Sequence, residues 1–300
     1  MTVLLGTPLP RDAVQLDAPV EEAGTTRRGG AGLHGLEVAD IDRAGRLAAM
    51  RSGELGSVHS WELVTAVDGP GTRLTLFLNG CPLRCLYCQN PDTFAMKDGV
   101  AVTADAVLER LRRYLGVFRA TGGGLTISGG EVLMQPAFAA RLVRGAKEMG
   151  IHTALDTSGY LGAHASDELL ADTDLVLLDV KSGDPDTYRR VTGRELEPTL
   201  EFGERLARRG DVEVWVRFVL VPDLTDDVDN VAAVARYAAS LNEITPGTVT
   251  RVEVLPFHQM GRDKWHELGR TYPLEDTPAP EKELIERVRG QFAAEGLTVY

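Results

Sequence analysis

Cysteine is scarce in this chain: three in 300 residues, all between Cys81 and Cys88. An odd, clustered set makes no disulfide framework and fits a reducing compartment and a metal site. Long apolar runs are missing too, and none approaches the ~18 residues needed to span a bilayer. Asp12, Asp17, Glu21 and Glu22 interrupt the N-terminal stretch, so the basic-then-apolar pattern of a secretory signal is absent. Basic residues are outnumbered, 32 Lys and Arg against 44 Asp and Glu, and the net charge of −12 argues against a broad nucleic-acid footprint. What is present is 43% hydrophobic and 25% charged residues, enough to bury a sizeable core. These features predict a cytoplasmic, metal-binding α/β protein. Its length is about twice that of a common domain, yet α/β barrels of about 250 residues fold as one unit.

Residues 1–55 differ from the rest. The stretch Glu21–Gly32 (EEAGTTRRGGAG) has almost no large apolar side chain and cannot offset the entropy of ordering. We expect a flexible extension over 1–55, with a short helix near Ala39–Met50, and a catalytic domain over 56–300. Gly30–Gly35 (GAGLHG) matches GxGxxG but follows no strand and opens no helix, so it does not read as a dinucleotide site. Arg27 and Arg28 read as solvated charge.

From Trp61 onward short apolar runs recur at Leu74–Leu78, Leu125–Ile127, Thr153–Leu155, Leu175–Val180, Val212–Val221 and Val252–Phe257. Such runs suit strands buried on both faces of a parallel sheet. Helical spacing separates them: Ala104–Phe118 behind an N-capping Thr103, Pro136–Met149 closed by Gly150, Thr199–Arg209, Asp226–Leu241 and Glu281–Phe292. Alternating strands and helices predict right-handed crossovers. Six strands are fewer than a closed barrel needs. The expected fold is a partial (β/α)6 open barrel, with a doubly wound open sheet as the alternative.

The strongest chemical signal is Cys81-Pro-Leu-Arg-Cys85-Leu-Tyr-Cys88, a CxxxCxxC in the loop after the first apolar strand. Soft thiolates select iron–sulfur clusters, zinc or copper(I). Three of them can hold three irons of a four-iron–four-sulfur cubane and leave the fourth open. The competing reading is a structural zinc closed by His59 or His152. Independently, Cys81, Gly130, Asp156, Asp179, Lys181 and His258 all fall at the C-terminal ends of predicted parallel strands, the edge where such folds build sites. Taken singly, an Asp there is an N-cap, a His a satisfied packing residue, and a glycine pair an ordinary turn; jointly they make a site. Trp61, Trp215 and Trp265 read as core or rim packing.

CxxxCxxC with Tyr87 before its last cysteine resembles the radical S-adenosylmethionine (SAM) enzymes. The surrounding text is similar to the glycyl-radical-enzyme activases, those of the pyruvate formate-lyase kind above all. The similarity rests on VDGPGTR at Val67–Arg73, CLYCQNPDT at Cys85–Thr93, TISGGE at Thr126–Glu131 and IHTALDTSG at Ile151–Gly159. LVLLDVK at Leu175–Lys181 and VEVLPFHQMGRDKW at Val252–Trp265 extend it, so that it runs from about Gly56 to Tyr300. The resemblance implies that Cys81, Cys85 and Cys88 ligate one 4Fe–4S cluster whose free iron is chelated by the methionyl group of SAM. Tyr87, Cys88 and Gln89 would lie by the adenine, Gly129 and Gly130 by the amino group. Asp156, Asp179, Val180 and Lys181 would line the ribose and carboxylate, with a monovalent cation between the aspartates, and His258 would close the pocket. It further implies a glycyl radical enzyme (formate C-acetyltransferase) as protein substrate and reduced flavodoxin or ferredoxin as electron donor. No side chain is needed as a catalytic acid or base. Because Cys88 is the last cysteine, this chain cannot hold the second clusters carried by some other activases. Gln89 stands where a histidine is more usual in that family.

Overall fold

The computed structural model describes Leu33, Leu36 and residues 43–65 and 68–300. Arg27, Arg28, most of Gly30–Gly35 and Val67 lie outside the described residues, so the readings made on them are not addressed. Among the described residues, one sheet of eight strands runs in the order β3-β1-β2-β4-β5-β6-β7-β8. Six of these are the apolar runs: β2 (Thr72–Leu78), β4 (Gly124–Gly129), β5 (His152–Thr157), β6 (Leu175–Asp179), β7 (Glu213–Leu220) and β8 (Val249–Pro256), all paired in parallel. The other two, β1 (Leu55–Thr65) and β3 (Val100–Thr103), are antiparallel additions beyond β2. The expected open, partial barrel of six parallel strands is thus present, with two antiparallel strands that the sequence reading did not find. β1 escaped detection because its sequence, LGSVHSWELVT, mixes polar residues into a strand that pairs with β3 only over Leu55–Val58 and is half-exposed beyond.

Ten helices cover the sheet: α1 (Arg43–Arg51), α2 (Ala104–Arg112), α3 (Leu115–Thr121), α4 (Pro136–Glu148), α5 (Asp167–Ala171), α6 (Pro185–Thr192), α7 (Glu197–Arg209), α8 (Val228–Ile244), α9 (Arg262–Glu267) and α10 (Lys282–Ala294), counted among the described residues. Their apolar stripes make the main core with the strands: Phe138, Leu142 and Val143 from α4, Phe202 and Leu206 from α7, Val231, Val234 and Leu241 from α8, Val288 and Phe292 from α10. Each such side chain contributes about 1.5–3 kcal/mol by leaving water. Leu33 and Leu36, inside the segment expected as an extension, are also buried against this core. The single helix expected over Ala104–Phe118 is two. Thr103 caps α2 by accepting from Ala106 N at 3.2 Å, as read. The helix then breaks at Tyr114 (φ −107°, ψ 7°), whose ring lies against Trp61 and Phe118 at centroid distances of 6.1 and 6.2 Å. Tyr114 trades helical geometry for that aromatic packing.

A smaller apolar cluster joins the loops at the C-terminal ends of the strands. Leu83, Cys85, Tyr87, Phe94, Phe257 and Trp265 are among its members. Parallel pairing therefore delivers the ends of β2, β4, β5, β6 and β8 to one edge, and this cluster gives that edge a roof.

Candidate active site

The thiol loop leaves β2 through Asn79 and Gly80, and its backbone is pinned along its length. Gly80 N donates to Thr93 O at 2.7 Å, Cys81 N to Phe94 O at 3.2 Å, Arg84 N to Thr192 O at 2.8 Å and Leu86 N to Val191 O at 3.0 Å. Gln135 adds a side-chain clamp, donating to Ser57 O and Asn79 O. All three cysteines are free; Cys85 is buried, Cys81 and Cys88 half-buried. Burial raises all three thiol pKa values, Cys88 to about 12, and the charge of a neighbouring thiolate raises Cys81 and Cys88 further. Without a metal these groups stay protonated at neutral pH, so metal binding must displace protons.

The donor set fits a cluster better than a closed zinc site. His59 is occupied at both ring nitrogens, by Ser60 and Asp92 at 2.8 Å each. His152 sits level with Gly124 at the opposite, N-terminal edge of the sheet. Among the described residues no three His, Cys, Asp or Glu side chains converge on one point, as a mononuclear ion requires. A cubane instead takes one thiolate at each of three irons.

The neighbouring strand ends supply the rest. Gly129 has φ +115°, and a Cβ on Gly130 would fall 2.4 Å from Gly80 O and 3.2 Å from Cys81 Cβ. Only glycine lets the β4 end pass this close to the thiol loop. Asp179 and Lys181 pair at 2.9 Å, and the ammonium lies 5.7 Å from the Tyr87 ring centroid. Burial works against the Lys181 charge, but Asp179, Tyr87 and Cys85 outweigh it and raise its pKa. The Tyr87 hydroxyl is buried and finds no hydrogen-bond partner among the described residues. Val180 is buried and donates its N–H to Arg217 O at 3.0 Å. His258 reaches Gln89 at 2.8 Å, and Trp265 Nε1 donates to Cys88 O at 2.9 Å, so the segment after β8 is fastened to the thiol loop. All ten residues expected to bind cofactor or SAM thus lie on one edge, and the three tryptophans are packed in the fold, Trp265 as part of the roof.

Sequence reasoning missed an inner charge cluster. Arg217 on β7 reaches Glu253 at 2.9 Å, Asp156 at 3.5 Å and Asp68 at 3.6 Å. Asp156 lies two strands away, and Asp68 lies in the β1–β2 turn. One side chain can touch both only across the concave face of a curved sheet. Burial lifts the Asp156 carboxyl to about 7, with Asp179 and Asp68 adding to the rise and Arg217 and Ser128 opposing it. Glu131 was also missed. It is buried at the end of TISGGE and accepts from Leu133 N, Thr157 Oγ1, Ser158 N and Ser158 Oγ. The available signal was a charge inside an apolar strand, as in VEVWVRFVLV.

Comparison with known proteins agrees with this geometry. Residues 75–235 match the Radical SAM superfamily. The pyruvate formate-lyase-activating enzyme of Clostridium pasteurianum is 43% identical over 229 residues, covering 76% of this chain and 93% of that protein. The pyruvate formate-lyase 1-activating enzyme of Escherichia coli K12 is 39% identical over 238 residues, covering 79% and 94%. In fold alone, SuiB of Streptococcus suis, bound to its precursor peptide SuiA, superposes with a TM-score of 0.57 at 14% identity, over 86% of this chain and 52% of that one. The chain belongs to the radical SAM superfamily and, within it, to the family of pyruvate formate-lyase-activating enzymes.

Proposed function

We propose that this protein activates a glycyl radical enzyme of the pyruvate formate-lyase kind, by reductive cleavage of SAM and hydrogen abstraction from a glycine of that partner. The observation that carries this reading is the assembly on one sheet edge of three free thiols, a glycine-only passage and the Asp156, Asp179 and Lys181 group. Bound there, a 4Fe–4S cluster would supply the single electron that reductive cleavage of SAM requires.

The chain's own residues do the rest. Cys81, Cys85 and Cys88 would hold three irons of the cluster. Gly129 and Gly130 would present backbone to the methionyl amine, and the Lys181 ammonium would face its carboxylate. Asp156, Asp179 and Val180 would take the ribose side. Tyr87 and Gln89 would stand by the adenine, with His258 closing over it. No acid–base residue is assigned, since the abstraction moves a hydrogen atom. The apolar roof of Leu83, Phe94 and Trp265 excludes water from the site.

The inner charges also favour a monovalent cation beside Asp156 and Asp179. Asp68, Asp156, Asp179 and Glu253 face Lys181, Arg217 and Arg251, so that once Asp156 is ionised this group holds four carboxylates to three cations. The catalytic unit is residues 56–300, with 1–55 as an extension that packs against it through Leu33, Leu36 and α1, and the working compartment is the cytoplasm of a cell living anaerobically. Among the described residues no helix is long and apolar enough to cross a membrane.

The test is anaerobic reconstitution, reduction and SAM addition with a pyruvate formate-lyase homologue. Stoichiometric iron and sulfide, 5′-deoxyadenosine and a protein-centred glycyl doublet are expected. SAM cleavage with no partner radical would point to a small-molecule substrate, and zinc without sulfide would end the enzyme reading.

A further inference from the structure

In an acidic chain of net charge −12, exposed positive charge gathers on the loop that carries the thiols. The Arg84 guanidinium donates to Cys81 O and Leu83 O at 2.7 Å each and lies 4.5 Å from the Phe94 ring centroid. Arg270 approaches the same ring at 5.4 Å. Arg194 donates to Pro82 O at 2.8 Å and lies 6.0 Å from the Tyr160 ring. Arg190 precedes Val191, whose carbonyl accepts from Leu86 N. All four arginines are exposed.

None of the four pairs with a carboxylate among the described residues, and Asp92, Glu275 and Glu195 are engaged elsewhere. Asp92 is held by His59 and Lys264, Glu275 by His266, and Glu195 by Arg189. The contrast with Arg205 and Arg209, both paired with Asp167, marks this charge as left uncompensated. Arg84 and Arg194 are also pre-ordered: guanidiniums bonded to carbonyls and set against rings lose little freedom when a partner arrives.

We infer that Arg84, Arg190, Arg194 and Arg270 form the docking surface for a small acidic one-electron carrier protein, seated against the Pro82–Arg84 segment of the thiol loop. The inference rests on the activase reading, which requires one electron per SAM cleaved. The carrier is oxidised by one electron, the cluster is reduced by one, and no atoms are exchanged. An acidic carrier is repelled by most of this chain's surface. An uncompensated positive patch beside the thiol backbone attracts it and orients it there.

The test uses holoenzyme and acidic flavodoxin as the probe, comparing wild type with Arg190→Glu/Arg270→Glu. Neither residue contacts a cysteine or the SAM-side groups. Calorimetry at low salt is expected to show flavodoxin binding weakened by about tenfold or more, with the gap closing as salt is added. Cluster reduction by photoreduced flavodoxin should slow in step, while reduction by photoreduced 5-deazariboflavin, a small near-neutral donor, stays unchanged. Flavodoxin affinity within about twofold of wild type overturns the inference. So does equal slowing with both donors, which would indicate damage to the loop. Weakened binding of the glycyl radical enzyme with flavodoxin unaffected would reassign the surface to the protein substrate. Failure of the activase reading itself appears separately, as absence of 5′-deoxyadenosine from wild type with the small donor.

Discussion

Asp156 is the residue on which burial and charge compete most openly. Its carboxyl sits at about 7 rather than 3.8 because burial and the nearby aspartates outweigh Arg217 and Ser128. A raised carboxyl pKa stabilises the folded state below the ordinary value, and that contribution is lost as pH climbs from about 4 through about 7. A cation beside Asp156 and Asp179 favours the ionised form, so it must displace a proton at pH 6 but not at pH 8. Potassium chloride should therefore raise the melting temperature of the unloaded protein more at pH 8 than at pH 6, with lithium chloride as the ionic-strength control. The difference should vanish in Asp156→Asn. An equal potassium effect at both pH values would remove the cation from this site.

Among the structural elements, the ends of β4 and β5 are joined by Glu131 rather than by apolar contact. Its carboxylate takes four hydrogen bonds, three of them from Thr157 and Ser158 at the end of β5. Replacing it with Ala strands those donors in a buried place, at about 1–3 kcal/mol for each left unsatisfied. Glu131→Ala should lose roughly 3 kcal/mol or more of stability in chemical denaturation. A loss under about 1 kcal/mol would show that water or a rearranged loop satisfies them. Element types were legible wherever burial was two-sided. β2, β4 and β6 read as strands because nearly every side chain is buried, and β1 and β3 did not because β1 mixes polar, half-exposed residues and the edge strand β3 is only four residues long. The break at Tyr114 was illegible because the 3.6-residue spacing of Val107, Leu111 and Phe118 continues across it. Only the Trp61 ring, more than fifty residues earlier, explains the interruption.

On the scale of the whole molecule, the two edges of the sheet are chemically distinct. The C-terminal edge carries the thiols and the SAM-side residues. At the N-terminal edge lie His152 and the buried Arg73, whose guanidinium pKa burial lowers to about 10. Burial, then Arg73, lowers the His152 pKa below its ordinary 6.5. The unfolded chain therefore takes up a proton that the folded chain refuses. This stability is complete above about 6.5 and is lost as pH falls below it. Wild type should lose more stability between pH 7.5 and pH 5.5 than His152→Gln, as read by denaturant midpoints. Matching losses would mean that the imidazole titrates freely in the fold.

The sequence alone determined the strand-and-helix alternation, the cysteine spacing and the placement of Gly130, Asp156, Asp179, Lys181 and His258 at strand ends. These are local properties: burial periodicity and ligand spacing act within a few residues of chain, and parallel strands align their ends without further instruction. Tertiary structure alone decided that Arg217 joins Asp68, Asp156 and Glu253, that Glu131 locks two strand ends, and that Arg84, Arg194 and Arg270 meet around the thiol loop and Phe94. Those juxtapositions depend on the curvature of the sheet and on contacts between residues as much as 176 positions apart, from Phe94 to Arg270. No window of sequence encodes such distances, because they come from how twisted strands stack rather than from any one of them.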